Sequence, residues 1–214
     1  MSSASTPPPL VPVPPGKSSY LKRIRTMAAS VPGAADLILL GDSLAASWPV
    51  ALYPEAFPSR RVLNLGLTGD RVQNTLWRLE AMNIQHLRPR EIVLLLGTNN
   101  LGDGDGAEAI ACGIKKVLSK VRLFWAEPRA FVVTVPRRGP GPGLREAERH
   151  RLNNILRTEL PSSHGAVIID ADVALDCLPP AYLSLLPDLL HLSQDGYRRL
   201  SGAFCSASAA LVAR

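Results

Sequence analysis

Aromatic residues make up only 5% of this 214-residue chain, so there is little on which nucleic-acid bases could stack. The basic residues behind its net charge of +6 are dispersed as well. They sit at Lys22-Arg23, Arg137-Arg138, Arg145 to Arg151 and Arg198-Arg199, with acidic residues interrupting the longest cluster. A solvated basic surface is the expected reading, with no nucleic-acid partner. No apolar run reaches the roughly 20 residues that span a bilayer, so no transmembrane segment is expected. The three cysteines, Cys112, Cys177 and Cys205, lack paired metal-ligand spacing and are odd in number for disulfides. Buried thiols in a reducing compartment are expected. Residues 1–16 contain no basic stretch leading into an apolar one and a small-residue cleavage site, and cytoplasmic residence follows as an expectation. His86, His150 and His164 share no ligand spacing. Gly102-Asp103-Gly104-Asp105-Gly106 has a faint look of a calcium loop, but Leu101 would fill the first ligand position and Cys112 the twelfth. There is no Gly-Lys-Ser/Thr phosphate loop and no dinucleotide fingerprint.

What the chain does have is alternation. After a Pro-rich head over 1–17, expected to be disordered or loosely draped, residues 18–214 read as one domain. A short helix is predicted from Ser18 to Met27, with Tyr20, Leu21 and Ile24 on one side. Apolar runs suited to burial on both faces occur at Leu37–Leu40, Val62–Leu65, Ile92–Leu96, Phe131–Val135 and Val167–Ile169. Helical stripes separate them: Val72, Leu76 and Leu79; Ala107 through Val121; and a less regular set of Leu144, Ala147, Leu152, Ile155, Leu156 and Leu160. Tyr197, Leu200, Ala203 and Phe204 mark a terminal helix. Five strands alternating with helices imply an α/β fold, a parallel sheet covered on both faces in three α/β/α layers.

Four segments at the carboxyl ends of strands or in the last loop carry chemistry. Gly41-Asp42-Ser43-Leu44 puts a serine where a buried strand gives way to a helix, the edge at which open α/β sheets place their sites. A serine there is also an ordinary helix N-cap. Asn64-Leu65-Gly66-Leu67-Thr68-Gly69-Asp70-Arg71 follows the second strand, and Gly69 can bring its backbone N–H close to a substrate. Gly97-Thr98-Asn99-Asn100 follows the third, offering a side-chain amide to a developing negative charge. Asp188-Leu189-Leu190-His191 puts a carboxylate and an imidazole three apart, close enough for one to hold the other. Asp170 and Asp172, after the fifth strand, read as turn residues or as residues that shape the site, and Arg137-Arg138 as a solvated pair or a greeting for an anionic substrate.

Taken together these segments resemble the blocks of the SGNH, or GDSL-type, hydrolases, and within them an acetylhydrolase branch. The match runs through Gly41-Asp42-Ser43-Leu44, Gly69, Gly97 and Asn99, then Asp188 and His191, in the family's order. The resemblance implies a flavodoxin-like five-stranded sheet of order 2-1-3-4-5. It also implies Ser43 as nucleophile, His191 as general base and Asp188 as its orienting carboxylate. The oxyanion hole would join the N–H groups of Ser43 and Gly69 to the amide of Asn99, with no cofactor. Leu44, Thr98 and Leu190 would close the acyl pocket to all but short acyl groups. Two departures stand out: Asn100, where many members carry Asp, and Thr68, where the acetylhydrolase branch has glycine.

The expected activity is therefore a metal-free esterase acting on a small-molecule acyl ester, acetyl esters foremost. The same residues would serve an O-acyltransferase with a sugar or metabolite hydroxyl as acceptor. Outside catalysis, the alternative is a binding protein on the same fold. The resemblance also allows a homodimer.

Overall fold

Successive residues of a strand face opposite sides, so a run such as Leu37-Ile38-Leu39-Leu40 needs apolar cover on both. The computed structural model, which describes residues 9–140, 145–179 and 182–212, supplies that cover. Its strands are β1 (Leu37–Gly41), β2 (Val62–Gly66), β3 (Glu91–Leu95), β4 (Arg129–Val133) and β5 (Val167–Ile169). All neighbours pair in parallel, in the order β2-β1-β3-β4-β5 that the resemblance implies. The helices are α1 (Ser18–Ala29), α2 (Ser43–Ala46), α3 (Tyr53–Ala56), α4 (Val72–Ala81), α5 (Thr98–Asp103), α6 (Ala107–Trp125), α7 (Glu146–His164), α8 (Ala171–Ala174) and α9 (Gln194–Val212).

The pleat divides the core in two. Ile38, Leu40, Ile92, Leu94 and Val132 pack with Leu76 of α4, Ile114 and Val117 of α6, and Leu152 and Leu156 of α7. Leu37, Leu39, Val93, Leu95 and Phe131 pack on the other face with Leu44 of α2, Phe57, and Tyr197, Leu200 and Phe204 of α9. The expected three layers are present. Among the described residues no helix is long and apolar enough to cross a membrane.

Several expectations need correction. Strands β3 and β4 begin and end earlier than their apolar runs, because Glu91 and Arg129 pair into the ladder at the sheet's amino edge. In α7, Ala147 is exposed, while buried Arg149 and Asn153 occupy the inward face. They hold it through hydrogen bonds: Asn153 accepts from the Val135 N–H at 2.8 Å, and both side chains donate to the Val135 carbonyl at 2.9 Å. Leu144 lies outside the described residues. Of the cysteines, Cys177 is buried, but Cys112 is exposed on the outer face of α6 and Cys205 is half-buried; all three are free thiols.

The first eight residues of the Pro-rich head also lie outside the described set. From Pro9 onward the chain lies against α4 and α6: Pro9 is buried beside Gly113, and Val13 exchanges hydrogen bonds with the Gln73 carbonyl (3.1 Å) and the Asn74 amide (3.0 Å).

Candidate active site

The order of the strands sends the connections from β1 and β3 apart, and ligands of open sheets bind at such a switch point. Gly41, the last residue of β1, has φ +144°, and a Cβ there would stand 1.8 Å from the Leu95 carbonyl oxygen of β3. Glycine is required for this close approach. The next N–H, that of Asp42, donates to the same carbonyl at 3.0 Å. Asp42 then caps α2, its Oδ1 accepting from the Leu44 N–H at 2.9 Å. The capping role open to Ser43 thus falls to its neighbour, and the serine hydroxyl is left for other partners.

That partner is His191. The imidazole Nε2 lies 3.0 Å from Ser43 Oγ, and Nδ1 lies 2.7 Å from Asp188 Oδ2. An ionised carboxylate only accepts, so Nδ1 donates to it; Nε2 of the neutral ring then accepts the serine hydroxyl proton. Asp188 holds more than the ring. Its Oδ1 accepts the N–H groups of Leu190 (3.0 Å) and His191 (2.9 Å), an Asx turn entered through Leu189 at φ +54°. Partial burial would raise the Asp188 carboxyl, but the imidazole and these two N–H groups outweigh it and hold the carboxyl at about 2. The loop is tied down by Leu186 N–H to the His191 carbonyl (2.8 Å) and Gly139 N–H to the Leu189 carbonyl (2.7 Å).

Gly69 and Asn99 reach the same edge from β2 and β3. Gly69 has φ +76°, a left-handed conformation that disfavours any side chain, and the Tyr20 hydroxyl of α1 would stand 2.8 Å from a Cβ there. The Leu44 and Asp70 N–H groups are engaged, by Asp42 Oδ1 and the Leu67 carbonyl. Among the described residues no acceptor engages the Ser43 or Gly69 N–H. Asn99 spends one amide N–H on the Asp70 carbonyl at 2.8 Å, which leaves the other. Asn100, the departure noted in the sequence, is buried and ties α4 to α5. It accepts from the Val72 N–H (3.0 Å) and donates to Gln73 (2.9 Å) and Asp105 (2.8 Å).

Of the three expected acyl-pocket residues, Leu44 and Thr98 share a cavity of about 10 Å³ with Leu95, Val133 and Val135. Space of that size scarcely admits one water. Leu190 is not among the residues lining it; it rides half-buried on the Asp188 turn. Ser43 and His191 open instead onto a cleft of about 540 Å³ bounded by Ser47, Pro49, Thr68, Leu186 and Tyr197. Asp170 and Asp172 are drawn away from this cleft by Arg157 (2.7 and 3.0 Å), and Asp172 also by Arg149 (2.7 Å). Arg137 faces Glu146. Among the described residues no three His, Cys, Asp or Glu side chains cluster as metal ligands.

Supporting residues escaped the sequence reading. Asn64 donates to the Ala45 carbonyl (2.8 Å) and Tyr197 to the Leu44 carbonyl (2.9 Å), fixing α2 from two sides. Asp42, wholly buried, is pushed up to about 7 by that burial. A polar residue inside an apolar strand run, as at Asn64, was the available signal.

Residues 32–199 match the GDSL-like Lipase/Acylhydrolase family. The platelet-activating factor acetylhydrolase IB subunit alpha1 of Pongo abelii is 30% identical over 188 residues, covering 84% of this chain and 78% of its own. That of Bos taurus is 31% identical over 171 residues, covering 76% and 70%. The crystal structure of a GDSL-like lipase from Bacteroides thetaiotaomicron superposes with a TM-score of 0.68 at 15% identity, covering 88% of this chain and 97% of that one.

Proposed function

The chain belongs to the GDSL-like lipase/acylhydrolase family and is a carboxylic ester hydrolase, and from that premise we propose that it cleaves short-chain esters, acetyl esters foremost, with Ser43 as nucleophile. One observation carries the reading. Asp188, His191 and Ser43 form an unbroken relay, 2.7 Å and 3.0 Å at its two contacts, that ends at the floor of an open cleft.

In the proposed reaction Ser43 Oγ attacks the ester carbonyl carbon as its proton passes to His191 Nε2. The Asp188 carboxylate stabilises the imidazolium that forms. Negative charge gathers on the former carbonyl oxygen, where the N–H groups of Ser43 and Gly69 and the free amide N–H of Asn99 can receive it. Each such donor is worth roughly 10²–10³ in kcat. Collapse of the tetrahedral species breaks the bond to the alcohol, which takes the proton from His191. Water, deprotonated by the same imidazole, then releases the acid from the acyl-enzyme.

The close packing of Leu44 against Thr98, with about 10 Å³ left between them, favours a short acyl group at Ser43, and the wider cleft has room for the alcohol. Relatives named as acetylhydrolases agree with an acetyl preference. The test is hydrolysis of p-nitrophenyl acetate by the wild-type chain and by Ser43→Ala, each with and without chelator. Turnover that survives the chelator and disappears in Ser43→Ala is expected. Turnover unchanged in Ser43→Ala would overturn the assignment, and loss in chelator would overturn its metal-free chemistry.

A further inference from the structure

Beneath the nucleophile lies an ion pair with almost no contact with solvent: Arg78 of α4 and Asp70, whose side chains are 1% and 0% exposed. Burying two charges forfeits their hydration, and apolar replacements for such pairs are commonly neutral or even stabilising. Stability alone therefore gives no reason for this pair. Its hydrogen bonds give one.

Arg78 Nε donates to Asp70 Oδ2 at 2.7 Å, and Nη2 donates to the Gly41 carbonyl at 3.1 Å. Thr75 Oγ1 donates to the same Asp70 Oδ2 at 2.6 Å, and the Asp70 carbonyl accepts from Asn99 Nδ2 at 2.8 Å. The Gly41 carbonyl also accepts the Leu67 N–H, at 2.9 Å. One guanidinium thus ties the end of β1, two residues before Ser43, to the residue that follows Gly69 and orients Asn99. The three prospective oxyanion donors come from three different strand ends, and this fork adds a side-chain tie to the backbone bonds between them.

We propose that Arg78 is a positioning residue for the oxyanion hole, fixing the Ser43 N–H, the Gly69 N–H and the Asn99 amide relative to one another through Gly41 and Asp70. The inference rests on the esterase reading above. A planar fork matters here because its donors meet two acceptors at fixed angles, whereas a lysine ammonium is a single point charge on a flexible stem. Arg78→Lys keeps the charge opposite Asp70 and gives up the second tie. Loss of registry of this kind acts on the transition state, where the oxyanion exists, and leaves ester binding nearly untouched.

The experiment compares kcat and KM for p-nitrophenyl acetate among the wild-type chain, Ser43→Ala, Arg78→Lys, Asn99→Ala and the Arg78→Lys/Asn99→Ala double variant, with thermal unfolding alongside. Arg78→Lys is expected to fold and to lose roughly 10–100-fold in kcat, with KM within about threefold of wild type. In the Asn99→Ala background the same substitution should cost a clearly smaller factor, since part of what it positions is gone. Equal factors in both backgrounds, an effect confined to KM, or an unchanged kcat in folded Arg78→Lys would overturn the inference while leaving the esterase intact. A wild-type chain without turnover overturns both. Should Arg78→Lys fail to fold, Thr75→Val removes one bond to Asp70 at nearly constant volume. A several-fold fall in kcat at constant KM is then expected, and an unchanged kcat counts against the proposal.

Discussion

A single carboxylate, that of Asp188, grips His191 twice: Oδ2 meets the ring at Nδ1 (2.7 Å) and Oδ1 accepts the residue's own backbone N–H (2.9 Å). Ring tautomer and loop conformation thus depend on the same group. Asp188→Asn separates them, because the amide oxygen can still accept the backbone N–H groups while its NH₂ faces Nδ1. The imidazole would then present a protonated Nε2 to Ser43 and lose its function as a base. A fall of roughly 10²–10⁴ in kcat is expected, with the unfolding temperature little changed. A variant retaining a tenth of wild-type kcat would remove Asp188 from the mechanism. Since the carboxyl is held at about 2, any loss of activity between pH 4 and 7 should come from groups other than Asp188.

The cavity shared by Leu44 and Thr98 governs the second prediction. Because the packing of Leu44 on Thr98 leaves no room for a long chain to extend between them, hydrolysis of p-nitrophenyl acetate and propionate should far exceed that of the octanoate. Each added methylene that does not fit costs on the order of 10–200-fold. Thr98→Ala should move the optimum toward butyrate by widening this cavity. Leu44→Ala should do so more strongly, at a cost of about 2–5 kcal/mol in stability. Equal rates along the chain-length series would show that the acyl group lies elsewhere in the cleft.

The strands were legible in the sequence because burial on both faces favours short apolar runs such as Leu37–Leu40, which is buried throughout. Ser43, Gly69, Asn99 and Asp188–His191 were legible because each follows a strand or turn at the functional edge. What escaped notice depended on pairing through space. Arg78 looks like the polar face of a helix until Asp70, eight residues earlier, is seen to fold back onto it. The short helices α2, α3 and α8, four residues each, have too few turns to show a period. The sequence likewise does not reveal that Asp42, rather than Ser43, caps α2.

Asn100, buried where α5 meets α4, offers a third test. Its Nδ2 donates to Asp105 Oδ2 at 2.8 Å, so Asn100→Asp would set two carboxylates face to face in a buried position. The variant should unfold at lower urea than wild type at pH 7, by roughly 2–4 kcal/mol. Protonation of one partner relieves the repulsion, so the gap should narrow as the pH falls toward 4. A gap independent of pH would mean that Asp105 turns away, and that Asn100 matters only for its bonds to Val72 and Gln73.

Asp42 gives a pH dependence of opposite origin. Its carboxyl is fully buried and pushed up to about 7 by burial, with Asp70 adding to the rise and the Leu44 N–H and Arg78 opposing it. The folded chain therefore binds this proton more tightly than the unfolded chain, where the carboxyl titrates near 4. Stability linked to the proton is complete below pH 4, declines as the pH rises through the interval from 4 to 7, and is gone above it. Asp42→Asn keeps an oxygen to cap Leu44 but carries no charge, so it should escape the decline. Relative to wild type, the variant should gain on the order of 2–4 kcal/mol between pH 4 and pH 8, read from urea midpoints at the two values. Parallel profiles for the two proteins would show that Asp42 remains ionised throughout, held so by Arg78. In that case the buried cluster beneath Ser43 would carry two negative charges on one guanidinium at both pH values, and Arg78→Lys should destabilise the fold equally at pH 5 and pH 8.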